Sequence, residues 1–466
     1  MPAFNPFLPS WEYIPDGEPR LFGDRLYLYG SHDRFGGQRY CEGDYIGWSA
    51  PLEDLSAWRC EGVIYRRDQH PEAGKGQLFA PDVVQGTDGR YYLYYSMSQD
   101  RITSVAVCDK PAGAFRFLGH VRHADGTPYG LAPGDTRCFD PGVLVDDDGR
   151  VYLYTGFATK GTKMALGDAG YVVELAPDML TVISDQVMTI PGIHRSDGTA
   201  FEGHAFFEAS SIRKIGGRYN LIYSSVLSHE LCYAWSNHPM GPFAFGGTVI
   251  SIADIGLDGN TEPRNATGNT HGGLVQLNGQ WYIFYHRQTN LLPYSRQACA
   301  EPVVISADGH IAQVETTSCG LNGGPLPGTG EYEARIACNL ASAHGTYDYG
   351  QAQARPGYPY FTQSGGDREG NGDQYIANLE DGSWACCKYF DFSRESRVTL
   401  TLRGDGEGVM LLSHARNGQP CAEVPVHSSA DWMKVSAPLA VQAGKQALYF
   451  TFHGTGHVDF KAFAMA

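Results

Sequence analysis

Short apolar runs rich in tyrosine recur along the first part of the chain, each entered through a tight turn and left through small or polar residues. Five copies stand out: GDRLYLYGSHD from Gly23, DGRYYLYYSMS from Asp88, DGRVYLYTGFA from Asp148, GGRYNLIYSS from Gly216 and NGQWYIFYHR from Asn278. Aligned on Asp24, Gly89, Gly149, Gly217 and Gly279, they recur every 60 to 70 residues or so, roughly the spacing of a repeat architecture.

Each copy begins with an Asp-Gly, Asn-Gly or similar pair and continues into a β-rich run, which predicts a hairpin. A second short strand lies upstream of each turn: PRLF, DVVQ, GVLV, SIRKI and GLVQL. A unit of this length holds about four short strands, the content of one propeller blade. No amphipathic helical pattern separates the strands, so a βα solenoid is the poorer reading. The repeats predict an all-β chain opening with a five-bladed β-propeller, with residues 302–305 as a strand that closes the ring.

Beyond about residue 316 the pattern changes. SCGLNGGPLPGTG is rich in Gly and Pro and reads as a linker. The alternating runs SRVTLTLRG, GVMLLSHA, WMKVSAPL and ALYFTFHG then predict an antiparallel, jelly-roll-like β-sandwich. The expected domains are a propeller over residues 1–318 and a sandwich over 330–466.

Composition narrows the partners. The chain has 35 Lys and Arg against 51 Asp and Glu, a formal charge of −16, with no basic cluster. Such a surface repels a phosphate backbone, which argues against nucleic acid and favours a neutral, hydroxyl-rich partner. No run reaches the length of a membrane span, and MPAFNPFLPS has neither the basic nor the apolar stretch of a leader. The 11 cysteines are scattered, without a CxxC pair, and Cys386 stands beside Cys387. They read as free thiols, so a cytoplasmic location is expected, although a secreted form that has lost its leader would look the same.

Some seven to nine positions before the turn, at the start of each innermost strand, stand Asp16, Asp82, Asp140, Glu208 and His271. Innermost strands converge on a propeller axis, so these five ionisable groups are expected to share one pocket. Crowding like charges costs stability, and such clusters mark function. Several carboxylates without an evident nucleophilic Ser or Cys suit glycosidic-bond hydrolysis. That reaction needs one carboxylic acid to protonate the leaving oxygen and one carboxylate to activate water or attack the sugar.

The motifs NPFLPSWEYIPDGEPRLFGDRLYLYGSHD, FAPDVV, FDPGVLVDDDGRVYLYTG, FFEASSIRKIGGRYNLIYSS and GNTHGGLVQLNGQWYIFYHR resemble glycoside hydrolase family 43 over roughly residues 5 to 315. The resemblance implies an inverting exo-hydrolase with Asp16 as general base, Asp140 tuning the acid's pKa, and Glu208 as general acid. It places Asp33, Asp82 and Arg287 around the sugar subsite and gives His271 a calcium ion or a water to hold. It implies no cofactor for the chemistry. α-L-Arabinofuranose is the expected sugar, with β-xylosidase, β-galactofuranosidase and a non-catalytic glycan-binding propeller as alternatives. A related retaining mechanism, in which the first-blade aspartate attacks the sugar, is a further one. Two departures from the family pattern leave rivals in place: PDGEP makes Glu18 a competing base, and FEGHAFFE carries a second glutamate, Glu202.

The pieces QYIANLEDGSWACCKYFDF and ALYFTFHGTGHVDFKAFAMA resemble family 6 carbohydrate-binding modules. Sugar binding there would need exposed rings, for which Tyr358, Tyr360 and Trp384 are the candidates, with Trp384 in a strand-like, core context. The other reading is that the sandwich packs on the propeller and completes the pocket wall.

Overall fold

The computed structural model describes residues 3–72, 74, 76–159, 168–348, 357–367 and 372–466. Blades 1 to 4 are four-stranded antiparallel meanders. Blade 1 comprises Glu18–Phe22, Arg25–Tyr29, Tyr45–Pro51 and Arg59–Tyr65; blade 2 comprises Leu78–Gln85, Tyr91–Met97, Thr103–Cys108 and Arg116–His120. Blade 3 comprises Gly142–Val145, Val151–Gly156, Ala169–Leu175 and Val187–Pro191, and blade 4 Phe206–Ile215, Arg218–Ser225, Glu230–Ser236 and Ala244–Ser251. Blade 5 has three strands, Leu274–Leu277, Gln280–Thr289 and Leu292–Val303.

The tyrosines of the repeat have a shared task. Tyr29, Tyr94 and Tyr154 each stand five residues after the aligned turn residue, buried between blades. Their hydroxyls donate to Pro111 O at 2.6 Å, Met179 O at 2.7 Å and Pro239 O at 2.6 Å. Each acceptor lies between the third and fourth strands of the following blade. A buried phenol must find a partner, and here that requirement locks one blade onto the next. Two glycines allow the inner strands to approach. A Cβ at Gly142 would lie 2.4 Å from Ser210 O in blade 4, and one at Gly272 would lie 1.9 Å from Phe284 O.

Residues 302–305 do not close the ring. Pro302 and Val303 end the third strand of blade 5, where they are already paired with Tyr282 and Trp281. The N-terminal segment makes the closure instead. Gly17 forms a parallel bridge to Gly272, and Asn5 donates to Ala300 O and Glu301 Oε1, both at 2.9 Å, and accepts from Ala300 N–H.

The C-terminal region is a sandwich of two six-stranded sheets over one core that includes Ile336, Phe390, Leu400, Phe450 and Phe463. The stretch that reads as a linker is fastened down: Ser318 N–H donates to Lys388 O at 2.6 Å, and buried Leu326 pairs in parallel with Phe390. The sandwich also grips the propeller. Tyr13 donates to Gln363 at 2.7 Å, Asn290 N–H to Phe361 O at 2.7 Å, and the buried Lys388 amine to Asp254 at 3.3 Å and Glu315 at 3.1 Å. Trp384 is buried in a strand, and Tyr358 is buried against Tyr347 and Ala266 of blade 5's approach loop, with Tyr360 packed beside them. None of the three stands out as an exposed stacking ring, because the domain contact and the sandwich interior occupy them.

Candidate active site

A cavity of about 280 Å³ opens at the propeller axis. All five blades contribute to its wall: Asp16, Tyr40 and Cys41; Phe79 and Ala80; Phe139 and Asp140; Phe207, Glu208 and Ser228; Asn269 and Arg296. The three carboxylates expected to do the chemistry therefore face one space. Local backbone geometry aims them there. Asp16 and Asp140 sit at φ +56° and +47°, just before the innermost strands of blades 1 and 3. Glu208 lies in a strand whose register shifts on both sides of it, next to Ala209 at φ +73°. Bulges re-aim side chains, and left-handed non-glycine residues gather at functional sites.

Asp16 is anchored. Arg296 Nη1 donates to Asp16 Oδ1 at 3.0 Å, His286 Nδ1 lies 3.4 Å from the same oxygen and also accepts the Asp16 N–H at 3.1 Å. Burial alone would raise the Asp16 pKa, but the charge of the Arg296 guanidinium outweighs it and holds the carboxyl below its ordinary range. His286, fully buried beside that guanidinium, is pushed down to about 3 and stays neutral. Asp16 is thus held as an anion in the cavity wall, the state in which a carboxylate can take a proton from water.

Asp140 behaves oppositely. Burial raises it well above the carboxylate range, and the charges of Glu208 and Asp16 push further, against the smaller pull of Arg137 and Arg296. Neighbouring carboxyls in such a site resist ionising together, which favours the protonated form of Asp140. His271 Nδ1 lies 3.6 Å from Asp140 Oδ2, behind the lining residues; its own pKa is lowered by burial.

The other expected subsite residues are occupied elsewhere. Asp82 forms a fork with Arg20, at 2.9 Å to Nε and 2.5 Å to Nη2, and accepts Val143 N–H at 2.7 Å. Counting nine residues back from the turn glycine, as for Asp140 and Glu208, reaches Ala80 in blade 2; Asp82 is two residues deeper along its strand, so Ala80 lines the cavity in its place. Asp33 clamps Arg296, receiving Nε at 2.8 Å and Nη2 at 3.0 Å, and so supports the wall from behind. Arg287 points to the sandwich: it donates to Ala337 O at 3.0 Å and lies over the Phe361 ring. Of the rivals, Glu18 is consumed by Arg213 and Ser211, and Glu202 is exposed and caps its own turn at Gly198 N–H.

Arg296 is the pocket residue that sequence reasoning missed. It stands in the third strand of blade 5, outside the repeat motif, and its one signal is a full charge within the otherwise buried run Ser295–Ala300. The calcium expectation meets a limited donor set. Asp82 and Glu18 are ion-paired, and the described residues around His271 leave that imidazole as the protein ligand, with water for the rest, whereas calcium favours oxygen. Away from the axis, His204, Glu230 and Cys232 come within metal-binding distance of one another, but Glu230 already accepts hydrogen bonds from His204, Ser225, Thr248 and Cys232.

A pocket in which one carboxylate is held as an anion and another carboxyl is favoured in its protonated form, with a third beside it, is the equipment of an acid–base glycoside hydrolase. Comparison with known proteins gives the family. The sequence profile of glycosyl hydrolases family 43 matches residues 23–311, and the chain belongs to that family. It is 49% identical to a xylosidase/arabinosidase of Thermoclostridium stercorarium, over 99% of this chain and 98% of that one. Among solved structures, a family 43 subfamily 1 enzyme from Xanthomonas citri matches with a TM-score of 0.53 and 26% identity, covering 68% of this chain and 93% of that one. A family 43 arabinoxylan arabinofuranohydrolase from Bacillus subtilis shares the fold over 99% of this chain and 97% of that one, with a TM-score of 0.53 and 20% identity.

Proposed function

We propose that this glycoside hydrolase is an inverting, exo-acting enzyme that releases terminal α-L-arabinofuranose from plant-derived oligo- or polysaccharides, with β-xylosidase activity on the same triad as the second reading. The observation that carries it is the convergence of Asp16, Asp140 and Glu208 on one axial cavity, with Asp16 kept anionic by Arg296. The cavity, about 280 Å³, is at the small end of ligand sites and suits one sugar ring rather than a threaded chain. The T. stercorarium relative is named for both sugars, which supports both readings.

In the proposed reaction Asp16 takes a proton from a water as the water's oxygen bonds to the anomeric carbon. Glu208, less buried than Asp140, gives the shared proton to the glycosidic oxygen, and the bond between that oxygen and the anomeric carbon breaks. Asp140 keeps the proton in the pair until then. The sugar leaves with inverted configuration, Asp16 ends protonated and Glu208 ionised, and exchange with solvent restores both. His271 could hold a calcium ion, water supplying the other ligands; bound there, the ion would add positive charge near Asp16 and Asp140. The sandwich acts as a brace on blade 5, which its polar contacts there support. A cytoplasmic site of action accords with 11 cysteines that all carry free thiols.

A panel of nitrophenyl arabinofuranoside, xyloside and galactofuranoside tests the sugar, and proton NMR of the first-formed product tests the stereochemistry. The expected result is fastest release from the arabinofuranoside, with inversion. Retention of configuration would remove Asp16 from the role of base and make it a nucleophile.

A further inference from the structure

The mechanism leaves Arg137 without a task, although it stands beside the site. Its guanidinium is stacked between Phe139 and Phe157, 4.8 Å from each ring centroid, and its Nε is buried with no hydrogen-bond partner. Among the described residues no carboxylate forms an ion pair with it, while Asp140 and Glu208 are close enough for their charges to act on it. Arg137 is half-buried, and burying its Nε without an acceptor is costly; such a group is retained where a ligand completes the site.

The surroundings indicate which ligand. Phe79, Phe139, Phe157 and Phe207 form a continuous arc, with successive centroids 5.7, 5.4 and 5.5 Å apart. The arc runs from blade 2 to blade 4 and includes the neighbour of the acid, Phe207, and the neighbour of Asp140, Phe139. Glu208 must reach the glycosidic oxygen, so the leaving group lies on the Glu208 side of the cleaved bond. A sugar leaving group has apolar ring faces, which suit aromatic walls, and hydroxyls, which accept from a planar fork of N–H donors.

We infer that Arg137, held flat by Phe139 and Phe157, is a specificity residue for the leaving group, donating hydrogen bonds to hydroxyls of the sugar that remains after cleavage. This rests on the hydrolase reading above and adds to it a preference for a glycosyl over an aryl leaving group. A site that hydrogen-bonds a substrate hydroxyl discriminates against the analogue that lacks it.

The test compares Arg137→Met and Arg137→Lys with the unaltered enzyme on two substrates carrying the same terminal sugar, a nitrophenyl glycoside and an oligosaccharide, with melting curves to establish folding. The expected result for Arg137→Met is that kcat/KM for the oligosaccharide falls at least ~10-fold further than for the nitrophenyl glycoside, with Arg137→Lys intermediate. The pH profile of Arg137→Lys keeps its limbs, since the positive charge beside Asp140 is retained, whereas Arg137→Met loses that charge and moves the basic limb to higher pH. An equal loss on both substrates in both variants would show that Arg137 acts only through Asp140 and Glu208 and would overturn the assignment. Unaltered enzyme that cleaves neither substrate overturns the hydrolase reading, and this one with it; unaltered enzyme that cleaves both while the substrate ratio stays constant in the variants overturns this one alone.

Discussion

Arg296 meets Asp16 at 3.0 Å across 280 residues of sequence, joining the third strand of blade 5 to the loop that enters blade 1. The contact closes the propeller at the point where the proposed chemistry happens. It also sets the charge of the proposed base, since Arg296 is the largest influence lowering the Asp16 pKa against burial. Because Asp33 holds the other edge of the guanidinium, lysine cannot replace it: a single ammonium cannot satisfy both carboxylates in that fork. Arg296→Lys is expected to lower kcat/KM by roughly 10²-fold or more, in the range of lost transition-state positioning. The ammonium carries the same charge but, held at Asp33, no longer bonds to Asp16, so the Asp16 pKa rises and the acid limb of kcat/KM moves to higher pH. An unmoved acid limb would separate Arg296 from the ionisation of Asp16.

Glu208 and Asp16 are expected to differ in their dependence on the leaving group. Glu208→Gln removes the proton donor, so turnover of an unactivated glycoside should fall by about 10³-fold or more, within the range of lost general-acid catalysis and positioning. A dinitrophenyl leaving group departs without protonation, so most of that loss should disappear on such a substrate. Asp16→Asn removes the base and should depress both substrates alike. Steady-state kinetics on the two glycosides reads the contrast, and equal losses in Glu208→Gln would deny it the role of acid.

How much of this was legible in the sequence follows from what a repeat encodes. Asp16, Asp140 and Glu208 could be read because register in a blade fixes distance from the axis, and their distance from the turn is nearly constant. Asp82 breaks the rule by two residues, one β-period, and so bonds Arg20 below the pocket while Ala80 takes the lining position. Asp33 and Arg287 could be placed near the axis but not aimed. Their directions depend on partners in blade 5 and in the sandwich, Arg296 and Ala337, that no local pattern announces. Ring closure escaped for the same reason: Asn5 finds its acceptors at Ala300 and Glu301, nearly 300 residues away.

The domain contact makes its own prediction. Lys388 is buried with Asp254, a residue with no exposed surface, so removing the amine strands a carboxylate in the interior. The neutral donors that remain are Asn339 Nδ2 at 2.9 Å and Thr316, through its N–H at 2.8 Å and its hydroxyl at 3.0 Å, and they do not replace the lost charge. Breaking one partner of a buried pair typically costs about 3–5 kcal/mol, and Lys388→Met should lower the melting temperature accordingly. Combining it with Asp254→Asn removes the stranded charge, and calorimetry should show the double variant closer to the parent than the two single losses added together. Strict additivity would mean the pair does not couple.

The His204–Glu230 pair predicts a stability that depends on pH at both ends. Burial raises the Glu230 pKa, but hydrogen bonds from His204 and Ser225, then Thr248, outweigh it and bring it from 4.5 to about 2. That stabilisation, on the order of 2–3 kcal/mol, is present above the unfolded value of 4.5 and is lost as pH falls from there toward 2. His204 works in the other sense. Its hydrogen bond to Glu230 raises its pKa above 6.5, so its contribution is complete below 6.5 and fades as pH climbs through the folded value. The pair therefore contributes most between 4.5 and 6.5. Glu230→Gln should cost the most melting temperature in that window, and the gap to the parent should narrow on further acidification, as thermal melts across pH would record. A gap that stays constant from pH 6 to pH 3 would show that Glu230 contributes by packing and neutral hydrogen bonding rather than by its charge.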